Sequence, residues 1–300
     1  MNYKNIAARA AQKAGAYLVK EFNKGIISWE LKQSHEIVTK ADLTSEKIIL
    51  SELKKYTPDF SILSEESGLM RTFSHDIPLK VRGIKGVMNR KKIITPPNPL
   101  LSQEGENKES DYLWVVDPLD GTTNFCVHNP LFSVSIGLYY KAKPFVGVVY
   151  VPYLKEMYVA EKGQGAYLNG HKLKVSKTGD IKRAFLTYCH GSESKHIRRA
   201  VELYRYFKLK SLDMRQLGSA AIELAWVSAG RTESLVIPGT KPWDAAAGIL
   251  LVREAGGRVT NFNNQPWSIY DRQGKVMANV DLLATNGLIH KVILKHIEIE

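Results

Sequence analysis

Cysteine is nearly missing from this chain: among 300 residues only Cys126 and Cys189 occur, far apart and without CxxC spacing. That excludes a disulfide framework and a thiolate metal knuckle, and two free thiols are expected. Long apolar runs are missing as well, since none approaches the roughly 18 residues that a membrane span needs. The opening Met1-Asn2-Tyr3-Lys4-Asn5 leads into an Ala-rich segment interrupted by Arg9, Lys13 and Glu21. A secretion signal would need an uninterrupted apolar core and a small-residue cleavage site there. A cytoplasmic chain without membrane attachment is therefore expected. There is no internal repeat or low-complexity tract, and His190 has no companion at metal-ligand spacing. Gly163-Gln164-Gly165 follows no βα unit, which excludes a dinucleotide fingerprint.

Acid is the scarcer charge. Lys and Arg total 42 against 30 Asp and Glu, a net charge of +12. Lys80, Arg82, Lys85, Arg90, Lys91 and Lys92 form a stretch without one acid. Such an excess suits phosphorylated metabolites, nucleic acid or an anionic surface, and equally a surface that is merely solubilising.

What is present is a 44% apolar composition, ample for a core in one domain or two closely packed ones. Ile6, Ala10, Ala14, Tyr17, Leu18 and Phe22 share one helical face, closed by Asn23-Lys24-Gly25. An extended piece over 26–31 precedes a second helix beginning near Asp42, with Ile48, Ile49, Leu50 and Leu53 inward. Phe60-Ser61-Ile62-Leu63 reads as a strand, as do 132–139, 144–153 and 157–160, with Lys141-Ala142-Lys143 as a turn. From about residue 180 strands and helices alternate: strand 184–188, helix 194–208, an apolar helix from Gly218-Ser219-Ala220-Ala221 to Gly230, and strand 233–237. A helix follows from Lys241-Pro242-Trp243-Asp244 to Ala255, then strand 282–285 and a closing helix from Asn286. The pattern divides the chain into an α+β part, 1–180, and an α/β part, 181–300.

The most informative stretch is Trp114-Val115-Val116-Asp117-Pro118-Leu119-Asp120-Gly121-Thr122-Thr123-Asn124-Phe125. Val115 and Val116 read as the end of a buried strand, and Pro118 cannot continue its ladder. Asp117 and Asp120 thus fall on the turn leaving a sheet. Their spacing lets both carboxylates reach one hard cation, with the Leu119 carbonyl as a third oxygen. Gly121 permits close backbone approach, and the following N–H groups with the Thr122 and Thr123 hydroxyls make a phosphate cradle. A plain Asp-Pro turn followed by a Thr cap is the simpler alternative.

This stretch resembles the central motif of the inositol monophosphatase family, within the lithium-sensitive, magnesium-dependent phosphatases. Ser64-Glu65-Glu66-Ser67-Gly68 upstream and Pro242-Trp243-Asp244-Ala245-Ala246-Ala247-Gly248 downstream match two further family motifs in order. The resemblance implies a layered αβαβα sandwich with two or three Mg²⁺ ions between its halves. It implies Glu65 and Asp244 as metal ligands beside Asp117, Leu119 and Asp120. It also implies a water-orienting pair of Asp42 and Thr122, although Asp42 read alone is a good helix cap. Glu66 would support the loop; as neighbours in extended chain, only one of Glu65 and Glu66 should face the site. Gly218, Ser219 and Ala220 open a helix suited to substrate contacts, or simply to close packing. Many relatives carry, seven positions before the last aspartate, a Glu that binds a ring hydroxyl; here that position is Ile237.

Residues 69–112 depart from the family pattern. The connection is much longer than in compact members and contains the basic stretch and Thr95-Pro96-Pro97-Asn98-Pro99, which forbids a continuous helix. A hairpin or flap beside the site, or a surface loop, is expected over about 70–111. The resemblance implies a Mg²⁺-dependent phosphatase, homodimeric, acting on a small phosphorylated metabolite such as inositol 1-phosphate or a related sugar phosphate. A 3′(2′),5′-bisphosphate nucleotidase, or an RNA or transcription-complex accessory protein on the same scaffold, is the alternative. In the phosphatase reading Glu65 counts among the catalytic groups with Asp42 and Thr122.

Overall fold

The computed structural model describes residues 2–25, 27–33, 36–71, 110–271 and 273–297. The flap expected within 70–111 lies almost wholly outside the described residues. Helix α1 (Tyr3–Phe22) begins where the Asn2 side chain accepts the Lys4 N–H, and it buries Ile6, Ala7, Ala10, Ala11, Ala14, Leu18 and Phe22 along one stripe. Small residues dominate that stripe, so the helix lies close on the sheet beneath it. Strands β1 (Trp29–Gln33) and β2 (Glu36–Thr39) pair only with each other, as an antiparallel hairpin. Helix α2 (Lys40–Tyr56) starts directly after β2, with Thr39 as its cap.

Strands β3 (Ser61–Ser64), β4 (Gly68–Met70) and β5 (Tyr112–Asp120) lead into helix α3 (Thr122–Cys126). A meander follows: β6 (Ser133–Tyr140), β7 (Lys143–Val151), β8 (Glu156–Glu161), β9 (Gly165–Leu168) and β10 (His171–Lys172). Lys141 and Ala142, at φ 47° and 61°, make the tight left-handed turn between β6 and β7. Together these strands form an eight-stranded sheet of order β10-β9-β8-β7-β6-β5-β3-β4, antiparallel except where β3 runs parallel to β5.

The remainder alternates as expected: β11 (Phe185–Tyr188), α4 (Ser194–Lys208), β12 (Asp213–Arg215), α5 (Ala220–Ser228), β13 (Ser234–Thr240), α6 (Pro242–Ala245), α7 (Gly248–Glu254), β14 (Arg258–Thr260), β15 (Val280–Thr285) and α8 (His290–Ile297). The helix expected from Asp244 to Ala255 is two helices, and the closing helix starts at His290, four residues later than expected. The five-stranded sheet has the order β12-β11-β13-β15-β14, with β11 parallel to both β12 and β13.

The layers follow from the packing. Helices α1 and α2 cover one face of the large sheet, sharing a core with Trp114, Val116, Ile136 and Val148. Helices α5, α6 and α7 fill the space between the sheets, and α4 and α8 cover the outer face of the small one. The αβαβα sandwich is the observed architecture. One core cluster joins Leu63, Val115 and Tyr139 to Leu235, Ala245 and Ile249, across the boundary expected near residue 180. Contact between the layers is backbone-close at Gly147, where an added Cβ would lie 2.4 Å from the Ala247 carbonyl oxygen. That approach seats the α6–α7 junction, and Asp244 with it, against the large sheet.

Candidate active site

Strand β5 does not stop at Pro118, as its sequence suggests; it continues to Asp120 through a bulge. Asp117 pairs opposite Ser135 and Asp120 opposite Ser133, so three steps on β5 face two on β6. Proline is tolerated because its missing N–H falls at the irregularity, where no ladder bond is due. The bulge is pinned from both sides: the Leu119 N–H donates to Asp117 Oδ1 at 3.1 Å, and the Ser45 hydroxyl of α2 donates to the Pro118 carbonyl at 2.6 Å. Gly121 follows at φ 87°, where a Cβ would sit 3.0 Å from Leu131 O and 3.1 Å from Gly218 O. No other residue fits that corner without displacing backbone.

Asp42 is not the cap of α2 but its third residue. Thr39 caps, and the two close a capping box: the Thr39 N–H and hydroxyl donate to Asp42 Oδ2 at 2.8 and 2.7 Å. The other oxygen, Oδ1, accepts the Thr122 hydroxyl at 2.9 Å, bringing together two residues 80 apart in sequence. The same hydroxyl lies 2.9 Å from the Leu119 carbonyl. Burial raises the Asp42 pKa, and the Thr39 and Thr122 donors hold it back.

Asp120 faces the second half of the chain. Its Oδ2 accepts the Ser219 hydroxyl and, at 2.8 Å, the Ala221 N–H of α5. Ser219, its cap, and the start of α5 thus turn to this carboxylate, while Thr123 stays exposed. Asp244 in α6 accepts the Lys241 N–H at 3.2 Å. Glu65 and Glu66 do not alternate as an extended chain would, because 65–67 form the turn of the β3–β4 hairpin. Lys32 of β1 reaches both, 2.9 Å from Glu66 Oε1 and 3.5 Å from Glu65 Oε1.

These acids repel one another in a poorly solvated place. Burial above all, then Glu65, Asp120 and Asp244, pushes Asp117 well above the usual carboxylate range. Asp244 rises for the same reason, with Asp120 and Glu65 adding repulsion. Glu65 is pushed up to about 7, by burial first, against the pull of Lys32. Four mutually repelling carboxylates need protons or a cation to be stable, and an all-oxygen set suits a hard divalent ion. Among the described residues no three acidic, His or Cys groups stand in ligating arrangement as they are. Asp120, Asp244 and Glu65 are instead turned to Ser219, Lys241 and Lys32.

Several supporting residues escaped sequence reasoning. Glu46 of α2 holds the Ser67 N–H and hydroxyl at 3.0 and 2.7 Å, fixing the turn that carries Glu65. Asn124 donates to both Leu131 O and Leu217 O at 2.7 Å, and Glu223 accepts the Leu217 N–H at 2.9 Å, clamping the loop before Ser219. Each is a polar residue on a buried helix face, which is the signal that could have found them. Ile237 is 2% exposed and packs with Leu282 and Ala245 in the inter-sheet core.

The sequence profile described as "Inositol monophosphatase family" matches residues 2–300. The Nus factor SuhB of Pasteurella multocida (strain Pm70) is 37% identical over 265 residues, covering 86% of this chain and 85% of that protein. An inositol-1-monophosphatase of Mesorhizobium japonicum is 33% identical over 299 residues, covering 98% and 95%. The crystal structure of the extragenic suppressor protein suhB from Bartonella henselae superposes with a TM-score of 0.78 at 30% identity, covering 98% of this chain and 97% of that one.

Proposed function

The chain belongs to the inositol monophosphatase family, and from that premise we propose that it is a Mg²⁺-dependent phosphomonoester hydrolase acting on a small phosphorylated metabolite. The observation that carries this reading is the gathering of Asp117, Asp120, Asp244 and Glu65, each with a raised pKa, beside the Asp42–Thr122 pair. Glu65, Asp117, the Leu119 carbonyl, Asp120 and Asp244 would hold two or three Mg²⁺ ions, the acids turning from their present partners to do so. Bound magnesium neutralises phosphate charge, acidifies a water and stabilises the leaving alkoxide. Asp42, held by Thr39, accepts through Oδ1 and leaves Thr122 Oγ1 to orient a water. The backbone N–H groups of Gly121, Thr122 and Thr123 are unclaimed by a preceding helical turn and face an incoming phosphate. Gly218, Ser219 and Ala220 border the same space through Asp120.

Ile237 offers no acceptor to a ring hydroxyl, which favours a related sugar phosphate or a 3′(2′),5′-nucleotide bisphosphate over inositol 1-phosphate. A second reading, a transcription-complex accessory role, is favoured by the relatives named Nus factor SuhB and by the net charge of +12. Phosphate release is measured with and without Mg²⁺ on inositol 1-phosphate, fructose 1,6-bisphosphate and 3′-phosphoadenosine 5′-phosphate. Release from any of them only with Mg²⁺ is expected. No release from any, with metal bound, would leave the accessory role as the better account. A homodimer is proposed on the family resemblance alone, with light scattering as its test.

A further inference from the structure

A cleft of about 480 Å³ opens where the β6–β7 turn meets the end of α7 and strand β14. Lys143, Arg253 and Arg258 line it with Asn264, Trp267 and Ser268, and no Asp or Glu takes part among the described residues. Arg253 is the decisive residue. It is half-buried, and desolvation lowers its pKa. Among the described residues its polar contact is a single hydrogen bond from Nη2 to the Trp267 carbonyl at 3.1 Å. Two other arginines meet carboxylates, Arg231 gripping Glu156 at 2.9 and 2.7 Å and Arg9 pairing with Glu52, whereas half-buried Arg199 donates to the Ile297 carbonyl and lies over the Phe262 ring. Among the described residues Arg258 donates to the neutral Asn264 Oδ1, at 2.7 Å, and Lys143 forms no ion pair.

One further donor stands in the same wall. The Ser268 oxygen already accepts the Tyr270 N–H at 3.0 Å, which leaves its own proton to give. A half-buried guanidinium with unused N–H groups is a ready partner for an anion. Three cations about one cleft call for an anion of more than one charge, and the planar guanidinium fork matches phosphate oxygens.

We propose that this cleft is a binding site for a small phosphate-bearing anion, separate from the carboxylate cluster. Its volume exceeds that of bare phosphate and admits a short phosphate ester. The inference does not depend on catalysis. Calorimetric titration of the full-length protein, stripped of metal with EDTA, uses inorganic phosphate and glycerol 3-phosphate as probes. Without metal the carboxylate cluster repels both. One saturable site per chain is expected, weakened roughly tenfold by Lys143→Ala or by Arg258→Ala and lost in Arg253→Met. Both alanine changes are at exposed positions and leave the fold intact, so they decide the question even if Arg253→Met fails to fold. Binding of inorganic phosphate alone would identify a site for the free ion, and binding of both an ester site. Absence of saturable binding for both probes, or binding unchanged in the Lys143→Ala/Arg258→Ala double variant, would overturn the proposal.

Discussion

The carboxylate cluster and the cationic cleft are opposites in charge, and the contrast tells what each lacks. In the cluster Asp117, Asp120, Asp244 and Glu65 crowd together with one lysine at the rim. In the cleft Lys143, Arg253 and Arg258 gather with no acid among the described residues. Neither arrangement is what folding alone would favour, since a buried charge is stabilised by an opposite neighbour and destabilised by a like one. The chain pairs arginine with carboxylate elsewhere, as Arg231 with Glu156 shows. Where it leaves an imbalance, the missing charge is expected from outside: a divalent cation in one place, a phosphate in the other.

The largest expected effect breaks the acidic side. Asp120→Asn keeps the hydrogen-bonding shape toward Ser219 and Ala221 but removes the charge, and should lower turnover by ~100-fold or more with circular dichroism unchanged. Wild-type turnover would remove Asp120 from the proposed ligands. Next, Mg²⁺ should raise stability by about 2.7 kcal/mol at a hundred times its dissociation constant, read as a shift in thermal midpoint, with a smaller shift in Glu65→Gln. A midpoint indifferent to Mg²⁺ would mean that the acids satisfy themselves with protons.

The basic side offers a pH test. His290 is fully buried, lies 3.0 Å from the hydroxyls of both Thr260 and Thr285, and is pushed down to about 4 by burial and by Arg258. A value depressed in the folded state means that the unfolded chain takes the proton more readily. Stability is therefore complete above about pH 6.5, falls as the pH drops, and levels off below about 4, a change on the order of 3 kcal/mol. His290→Gln should flatten that limb in denaturant titrations between pH 7 and 4; an unchanged slope would assign the acid sensitivity elsewhere. The smallest effect concerns Lys32, a partly exposed cation on a hairpin that pairs only with itself. Lys32→Met should tighten Mg²⁺ binding a few-fold, by about 0.5–1 kcal/mol in calorimetry, because the ammonium competes for Glu65 and Glu66. Weaker binding would show instead that Lys32 holds the loop in place.

Much of this was readable before the structure. Apolar spacing placed α1, α2 and α4 within a few residues, because a 3.6-residue period survives in sequence wherever one face is buried. The division of β5 from its loop was misread at Pro118, since a bulge is set by the partner strand rather than by the proline. The long helix after Asp244 was also misread: the α6–α7 break is decided by Ala246 and Ala247 pressing on β6 and β7. In the site, ordered motifs singled out Glu65, Asp117, Asp120 and Asp244. Thr39, Glu46, Asn124 and Glu223 stayed hidden because a polar residue on a helix announces no role until its partner is in view.

By itself, then, the sequence determined element types and chemical inventory: periodicity, caps, an all-oxygen ligand set, and an excess of positive charge. The tertiary structure decided which groups meet. Asp42 reaches Thr122 across 80 residues and Asp120 reaches Ser219 across 99; Arg253 and Lys143 line one cleft whose described lining holds no acid. Charge imbalance is a property of places, and places exist only once distant segments have packed together.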